Sequence, residues 1–391
     1  MGNRLAVSSN RAVIAALFIC AGNVVAETPS VADMWEIIQQ QQETIDSMSA
    51  APAASSATHF GGYGELHINH LSNEKAGGSD KDSADLHRLV LFIGHTFSDT
   101  VHFYSEIEWE HSIAGEGKVG ETEVEQAYIE FDVAPEYTVK AGVFLLPVGL
   151  MNETHEPDTF YGVERNSVEK NIVPATWWEG GVAATTELAP GISADVAVHT
   201  GLFIDVTDSK GNGNKFKVRD GRQKVGKAKA DAYAYTGRLV YRGMPGLEVG
   251  GTLQYQTDVA QDTHNGVVPA TLIELHANYQ KGPLGLKALY ATWDIDAAIE
   301  STSGTAGSSE QTGYLVEGSW KLNPKVGVFA RLSTWDNQAA SSADTEYQQT
   351  DIGLNYWPDP NVVVKVDYQT QDVPAGKDEY KGFNVGIGWS F

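Results

Sequence analysis

Cysteine is almost missing from this chain of 391 residues: there is one, Cys20. It lies in a stretch that reads as a secretory signal peptide over residues 1–26. Arg4 and Arg11 precede an apolar core at 12–22, and Val24, Val25 and Ala26 form a small-residue cleavage site. The exported chain then has no thiol, which excludes a disulfide framework and any cysteine-ligated metal. Lipidation of Cys20 is disfavoured because Ile19 is bulky where such sites take a small residue. Long apolar runs are missing too. Nothing after residue 26 approaches the ~20 apolar residues of a membrane helix, so a membrane form of this chain has to be a barrel. Bases are scarce, 27 Lys and Arg against 51 Asp and Glu for a net charge of −24. That argues against general nucleic-acid binding, which needs a basic face.

What the chain does have is 40 Gly, 16 Tyr, 13 Phe and 9 Trp beside only 14 Pro, a composition of strands and turns. One helix stands out before them. Over residues 29–50, Val31, Met34, Ile38, Gln41, Ile45 and Met48 fall on a and d positions of a heptad, bracketed by Pro29 and Pro52. The pattern fits a short periplasmic coiled-coil stalk and equally an amphipathic linker helix. An Ala/Ser linker at 51–59 follows.

From Phe60 to Phe391 the period changes to two. Val101, Phe103, Ile107 and Trp109 alternate with His102, Tyr104, Glu106, Glu108 and Glu110. Strands of roughly ten residues are expected at 60–69, 86–97, 101–111, 122–133, 137–144, 177–188, 192–203, 231–242, 247–258, 271–281, 284–294, 313–322, 326–336, 347–357, 362–371 and 380–391. Their links alternate between short turns rich in Pro, Gly, Asn or Asp and long loops. That regularity predicts an all-β, 16-stranded antiparallel transmembrane β-barrel over 60–391 rather than a sandwich. Trp177, Trp178, Trp293, Trp335, Trp357 and Trp389 lie near strand ends, where an interfacial girdle is expected.

The signal peptide, heptad segment, strand count and terminal aromatic strand together resemble the phosphate-selective porins O and P and their general-porin relatives. The resemblance is carried by VKAGVFLLPVGLMNETHEPDTFYGVERN, IVPATWWEGGVAATTEL, DGRQKVGKAKADAYAYTGRLVYR and PGLEVGGTLQYQTD. It implies a homotrimer in the bacterial outer membrane, surrounded by lipid and lipopolysaccharide. It also implies a passive aqueous pore for small hydrophilic solutes and ions, including anions such as phosphate, with a long third loop folded inward as the constriction. No cofactor or metal is expected.

The candidate third loop runs from 145 to 176, far longer than an ordinary connection. It carries Glu153, Glu156, Asp158, Glu164, Arg165, Glu169 and Lys170. Strand parity turns the bases Arg88, Lys140, Arg238, Arg242, Lys287, Arg331 and Lys365 toward the lumen. Glu65, Glu106, Glu108, Glu110, Glu130, Asp132, Glu274, Glu317, Asp351 and Asp367 face it too. Acids outnumber bases, which predicts weak cation preference or near neutrality, and no stacked arginine set for phosphate is visible. One basic island stands against this balance. Residues 210–229 hold eight Lys or Arg, among them Lys215, Lys217, Arg219, Arg222 and Lys224, and one acid, Asp220. As an extracellular loop it would draw anions to the mouth, grip lipopolysaccharide phosphates, or simply lie solvated.

An enzyme reading rests on His70-Leu71-Ser72-Asn73, which resembles the His-x-Ser-Asn core of the outer-membrane phospholipases. His70 would take the proton from Ser72. No Gly-Arg follows, and no downstream Asn is identifiable to orient the imidazole. A third class, a wall-anchoring structural protein, would need a plugged lumen.

Overall fold

The computed structural model describes residues 57–206, 216–263, 266–296 and 307–391. The signal peptide, the heptad segment and most of the 51–59 linker lie outside them, as does Lys215. Sixteen strands form one closed sheet in which every neighbour is antiparallel. They are β1 (Thr58–Asn73), β2 (Lys81–Ser98), β3 (Val101–Glu110), β4 (Thr122–Ala134), β5 (Tyr137–Leu145), β6 (Trp178–Ala189), β7 (Ile192–His199) and β8 (Ala234–Met244). The circuit continues through β9 (Leu247–Gln256), β10 (Ala270–Lys281), β11 (Leu284–Ile295), β12 (Glu310–Asn323), β13 (Val326–Asp336), β14 (Tyr347–Asp359), β15 (Val362–Asp372) and β16 (Tyr380–Ser390). β1 then pairs with β16, from Tyr63 opposite Ser390 to Asn73 opposite Tyr380. Closure leaves no backbone edge for lipid to meet.

Each short connection is a two-residue turn. Pro190-Gly191 and Pro245-Gly246 show why: proline presets the first turn residue, and glycine takes the positive φ of the second, 75° and 79°. The other rim carries the long loops. Along the strands, alternation sorts side chains by solvent. Leu239, Leu253, Leu275, Val316, Ile352 and Val385 are exposed on the outer face, whereas Glu274, Glu317, Asp351, Asn355 and Asn384 are buried inside.

Two findings differ from the sequence reading. β1 and β2 reach past 69 and back to 81, because polar residues on both faces near the rim hide a strand from a hydrophobicity pattern. Four of the six strand-end tryptophans also do not join the girdle. Trp177, Trp293 and Trp335 point inward and join an apolar cluster with Leu146, Val148, Ile172, Leu202, Ile204, Phe216, Val218, Val259 and Leu315. Trp178 is buried as well. Loop side chains offer these indoles more apolar contact than the interface does. The exposed aromatic belt is built mainly from tyrosines, Tyr235, Tyr241, Tyr255, Tyr290, Tyr314 and Tyr356, with Trp109 and Trp320.

Candidate functional site

Residues 146–177 leave β5 and cross the inside of the barrel. At one end Thr252 Oγ1 donates to Pro147 O at 3.2 Å and Arg88 Nη2 donates to His155 O at 2.7 Å. In the middle Ser390 Oγ donates to Asp158 Oδ2 at 2.8 Å and Asn355 Nδ2 to Phe160 O at 3.0 Å. Further along, Val163 N donates to Asp367 Oδ2 at 2.7 Å, and Arg331 donates to Tyr161 O and Glu164 O, both at 3.3 Å. Trp293 Nε1 closes the series on Ile172 O at 2.9 Å. A loop lying on water would not find carbonyl partners on so many strands. The wall supplies them because its inward positions are polar.

Inside the loop the chain is held by its own side chains. Glu169 Oε1 accepts from Leu150 N and Met151 N, at 2.7 and 2.8 Å, and its Oε2 accepts from Asn166 Nδ2 at 2.7 Å. Asn166 Oδ1 in turn caps the one-turn helix α1 (Val168–Asn171) through Glu169 N at 2.8 Å. Burial pushes the Glu169 carboxyl up against the pull of these bonds. Glu169 therefore shapes the loop and does not face a passing solute.

Between the loop, the β1–β3 wall and Arg219 lies a cavity of about 70 Å³ bordered by Glu65, His67, His87, Glu110, Phe160, Val163, Glu164, Arg165, Lys170, Ala175 and Arg219. Its acids are mostly engaged. Glu65 holds Arg88 Nε at 2.6 Å and His67 Nε2 at 3.0 Å, and Glu164 lies 3.2 Å from His67 Nδ1. Burial would raise the Glu164 carboxyl, but its bond to His67 holds it well below the usual range. Its bases are not so engaged. Among the described residues, Arg165, Lys170 and Arg219 form no ion pair, and Arg165 has only Thr176 Oγ1 at 3.4 Å.

From Phe216 on, the basic stretch packs into the mouth and does not stand off it. Phe216 and Val218 are buried in the apolar cluster, and a single 3-10 turn, Arg219–Gly221, follows. Arg222 Nη1 donates to Thr176 O and, at 3.2 Å, to Pro174 O. Burial, then Arg219 and Arg165 nearby, pull Arg222 down to about 10. Lys224 lies against Glu123 and, at 2.9 Å, Glu121. Lys217 is exposed. Apolar residues at 216 and 218 anchor a segment whose charge suggests a solvated loop.

The remaining site residues spread over several settings. Arg331 is buried between Glu317 and Asp351, at 3.5 and 3.1 Å, and Lys365 Nζ lies 3.5 Å from the centre of the Phe160 ring. Arg238 pairs with Asp195 at 2.8 Å and with Glu153, while exposed Arg242 pairs with Glu248 at 2.6 Å beside a hairpin turn. Lys140 lies over Tyr128 and Phe144 at 5.5 and 5.1 Å. Glu130 is its register neighbour, and Asp132 meets His102 at 3.3 Å. Lys287, with Lys321, Lys325, Asp158 and Trp357, lines a larger cavity of about 700 Å³ at the hairpin-turn end. Glu156 is half-buried in the loop.

His70 Nδ1 lies 2.9 Å from Asp82 Oδ1 on the outer face, both exposed, and among the described residues no hydrogen bond joins it to Ser72. The partner the motif lacked in sequence is thus an aspartate on β2, with Ser72 unengaged.

Three residues escape a parity reading. The β3–β4 pairing shifts between Glu106 and Ile107, leaving Glu125 as an extra residue that turns inward. The β1–β2 pairing shifts between Glu65 and Leu66, which does the same for His87. His87 stacks on His67 with ring centres 4.6 Å apart. His155 sits fully inside, between Glu106 and Glu125 at 3.6 and 3.5 Å. Burial would lower its pKa, but the two carboxylates raise it to about 9.

A family model described as phosphate-selective porin O and P matches residues 60–377. An uncharacterised protein of Aquifex aeolicus (strain VF5) is 30% identical over 370 residues, 85% of this chain and 79% of that one. Among solved structures, the anion-selective porin from Comamonas acidovorans superposes with a TM-score of 0.60 at 12% identity, covering 85% of this chain and 99% of its own. The trimer form of OmpT, an outer membrane protein of Vibrio cholerae, gives 0.55 at 10% identity, covering 85% and 99%. At these identities the structural likeness is one of fold.

Proposed function

Because this chain belongs to the phosphate-selective porin O and P family, whose members form passive channels for small hydrophilic solutes across the outer membrane, we propose that its constriction favours small anions of phosphate size. The observation that carries this reading is the unequal pairing around the constriction cavity. Glu65 and Glu164 are held by Arg88 and His67, whereas Arg165, Lys170 and Arg219 carry no ion pair among the described residues. A charge already neutralised at contact distance contributes little field to a passing ion, and one without a contact partner contributes more. On this reading the unpaired bases at the cavity, more than the strand-wide count of acids and bases, set the preference. Reversal potentials of the purified protein in a potassium chloride gradient test the reading. Anion preference is expected; a cation preference sinks it.

The assembly we propose with it is a homotrimer, supported by the trimer form of the OmpT neighbour and by the apolar outer face that lipid or a second copy would cover. Export through a cleaved signal at 1–26, a coiled-coil segment at 29–50 and a linker at 51–59 complete it. Cross-linking in mild detergent tests the trimer, and a monomer there would remove it. The channel reading takes precedence over the phospholipase alternative, in which His70 and Ser72 act on lipid. Fatty-acid release from vesicles that is abolished by Ser72→Ala would reverse that order.

A further inference from the structure

Between β3, β4 and the crossing loop lies a buried group that the channel reading does not use. His155 Nδ1 donates to Asn152 O at 3.2 Å, which leaves Nε2 as the atom facing Glu106 and Glu125. Both carboxylates are oriented from behind: Gln126 Nε2 holds Glu106 Oε2 at 2.8 Å, and Thr176 Oγ1 holds Glu125 Oε1 at 3.0 Å. The atoms that face one another are His155 Nε2, Glu106 Oε1 and Glu125 Oε2. Two of these, with Glu108 Oε2 beside them, are buried without a hydrogen bond among the described residues. All four residues are at most 3% exposed, so bulk water does not satisfy them, and leaving buried polar atoms unmet is costly.

The spacing tells what they are shaped for. A charge-assisted bond between imidazolium and carboxylate closes to about 2.7–2.9 Å. Ligands bonded to one metal at 2.0–2.2 Å stand roughly 3.3–3.6 Å apart along a tetrahedral edge. The two distances here are 3.5 and 3.6 Å. An imidazole whose other nitrogen is fixed on a carbonyl, beside carboxylates fixed by their own donors, is the outer-shell arrangement that metal ligands require. Nitrogen in the set points away from calcium and magnesium, which take oxygen, and toward a divalent first-row transition ion such as zinc or manganese.

We propose that His155, Glu106 and Glu125 bind one divalent transition-metal ion, with Glu108 in the neighbouring carboxylate group that shares Glu125, and that the ion pins the constriction loop to the β3–β4 wall. The inward turn of Glu125 at the bulge then has a purpose, since a regular strand would aim it at lipid. The sequence hides the site because its ligands come from two strands and a loop, and one of them has the wrong parity.

Zinc titration by calorimetry of chelator-stripped full-length protein in detergent tests this. It is run in a His111→Ala background, which removes an imidazole from the separate Asp85, His87 and His111 group that could take the same probe. One saturable site per protomer is expected, weakened at least 100-fold by His155→Gln or Glu125→Gln and about 10–100-fold by Thr176→Val. Heat-modifiable mobility in gels confirms that each variant is a closed barrel. If His155→Gln does not fold, Glu125→Gln and Thr176→Val carry the test. Zinc should also lower the open-channel current noise of the His111→Ala protein and leave that of its His155→Gln derivative unchanged. No saturable binding, or binding indifferent to all three substitutions, would mean that a proton alone occupies Nε2 and overturns the site. Ion selectivity is measured separately, so failure here leaves the anion reading standing.

Discussion

Arg88 and Arg331 hold the same loop in different ways. Arg331 on β13 lies in a regular ladder, directly opposite Glu317 on β12 and Asp351 on β14. Its guanidinium reaches both carboxylates and two loop carbonyls, and Gln349 occupies the remaining oxygen of Asp351 at 2.8 Å. Arg88 on β2 lies next to two bulges. It takes Glu65, Tyr63 and the carbonyl of His155, but Glu108 stays 3.7 Å away. The regular ladder closes its own hydrogen bonds, and the bulged one leaves carboxylate oxygens turned toward the loop. One extra residue in a strand thus changes a self-contained anchor into a place that needs another partner.

The comparison is broken most directly at its firmer end. Arg331→Met should destabilise the barrel by about 3–5 kcal/mol, the cost of leaving buried carboxylates without their cation, and should open the chain at Tyr161 to chymotrypsin. Arg88→Met should cost less, about 1–3 kcal/mol, because Glu65 keeps His67. Urea unfolding of both variants decides the matter, and equal losses would mean that the bulges make no difference. A smaller effect is expected from Lys170→Glu with Arg219→Glu. The reversal potential should move toward cation preference at 0.1 M salt and shrink at 1 M, where the screening length falls to about 3 Å. The smallest is Glu110→Gln, which removes the cavity acid that forms no ion pair among the described residues. It should raise anion preference by no more than about twofold, on the scale of one water-exposed charge.

Most of the architecture is readable in the chain because alternation and two-residue turns are local. Pro190-Gly191 marks a hairpin without any knowledge of what it faces. The site is less readable. His155 is one polar residue among several in a loop, and nothing in its neighbours announces the two carboxylates that meet it from β3 and β4. Glu125 and His87 fail for one reason: a period-two count carried through a bulge assigns the extra residue to the wrong face. Trp293 and Trp335 fail for another, since a strand-end indole can turn outward to the interface or inward to a loop, and only the loop's path decides. The island at 210–229 misleads by charge, because Phe216 and Val218 pull its described part, 216–229, into the mouth.

The seam between β1 and β16 has a consequence for how the channel comes into being. Every other pairing joins strands consecutive in the chain, whereas here Asn69 Nδ2 bonds Asn384 Oδ1 across 315 residues. Hairpins form by short loop closures, but this contact must confine almost the whole polypeptide, and that entropy loss grows with the enclosed length. Closing the sheet is therefore the pairing with the largest entropy cost. Glu164 bonds Asn69 on one side of the seam and Asp158 bonds Ser390 on the other. The loop therefore grips both margins of the seam, so the residues that narrow the passage also fasten the wall at the contact that costs most to close.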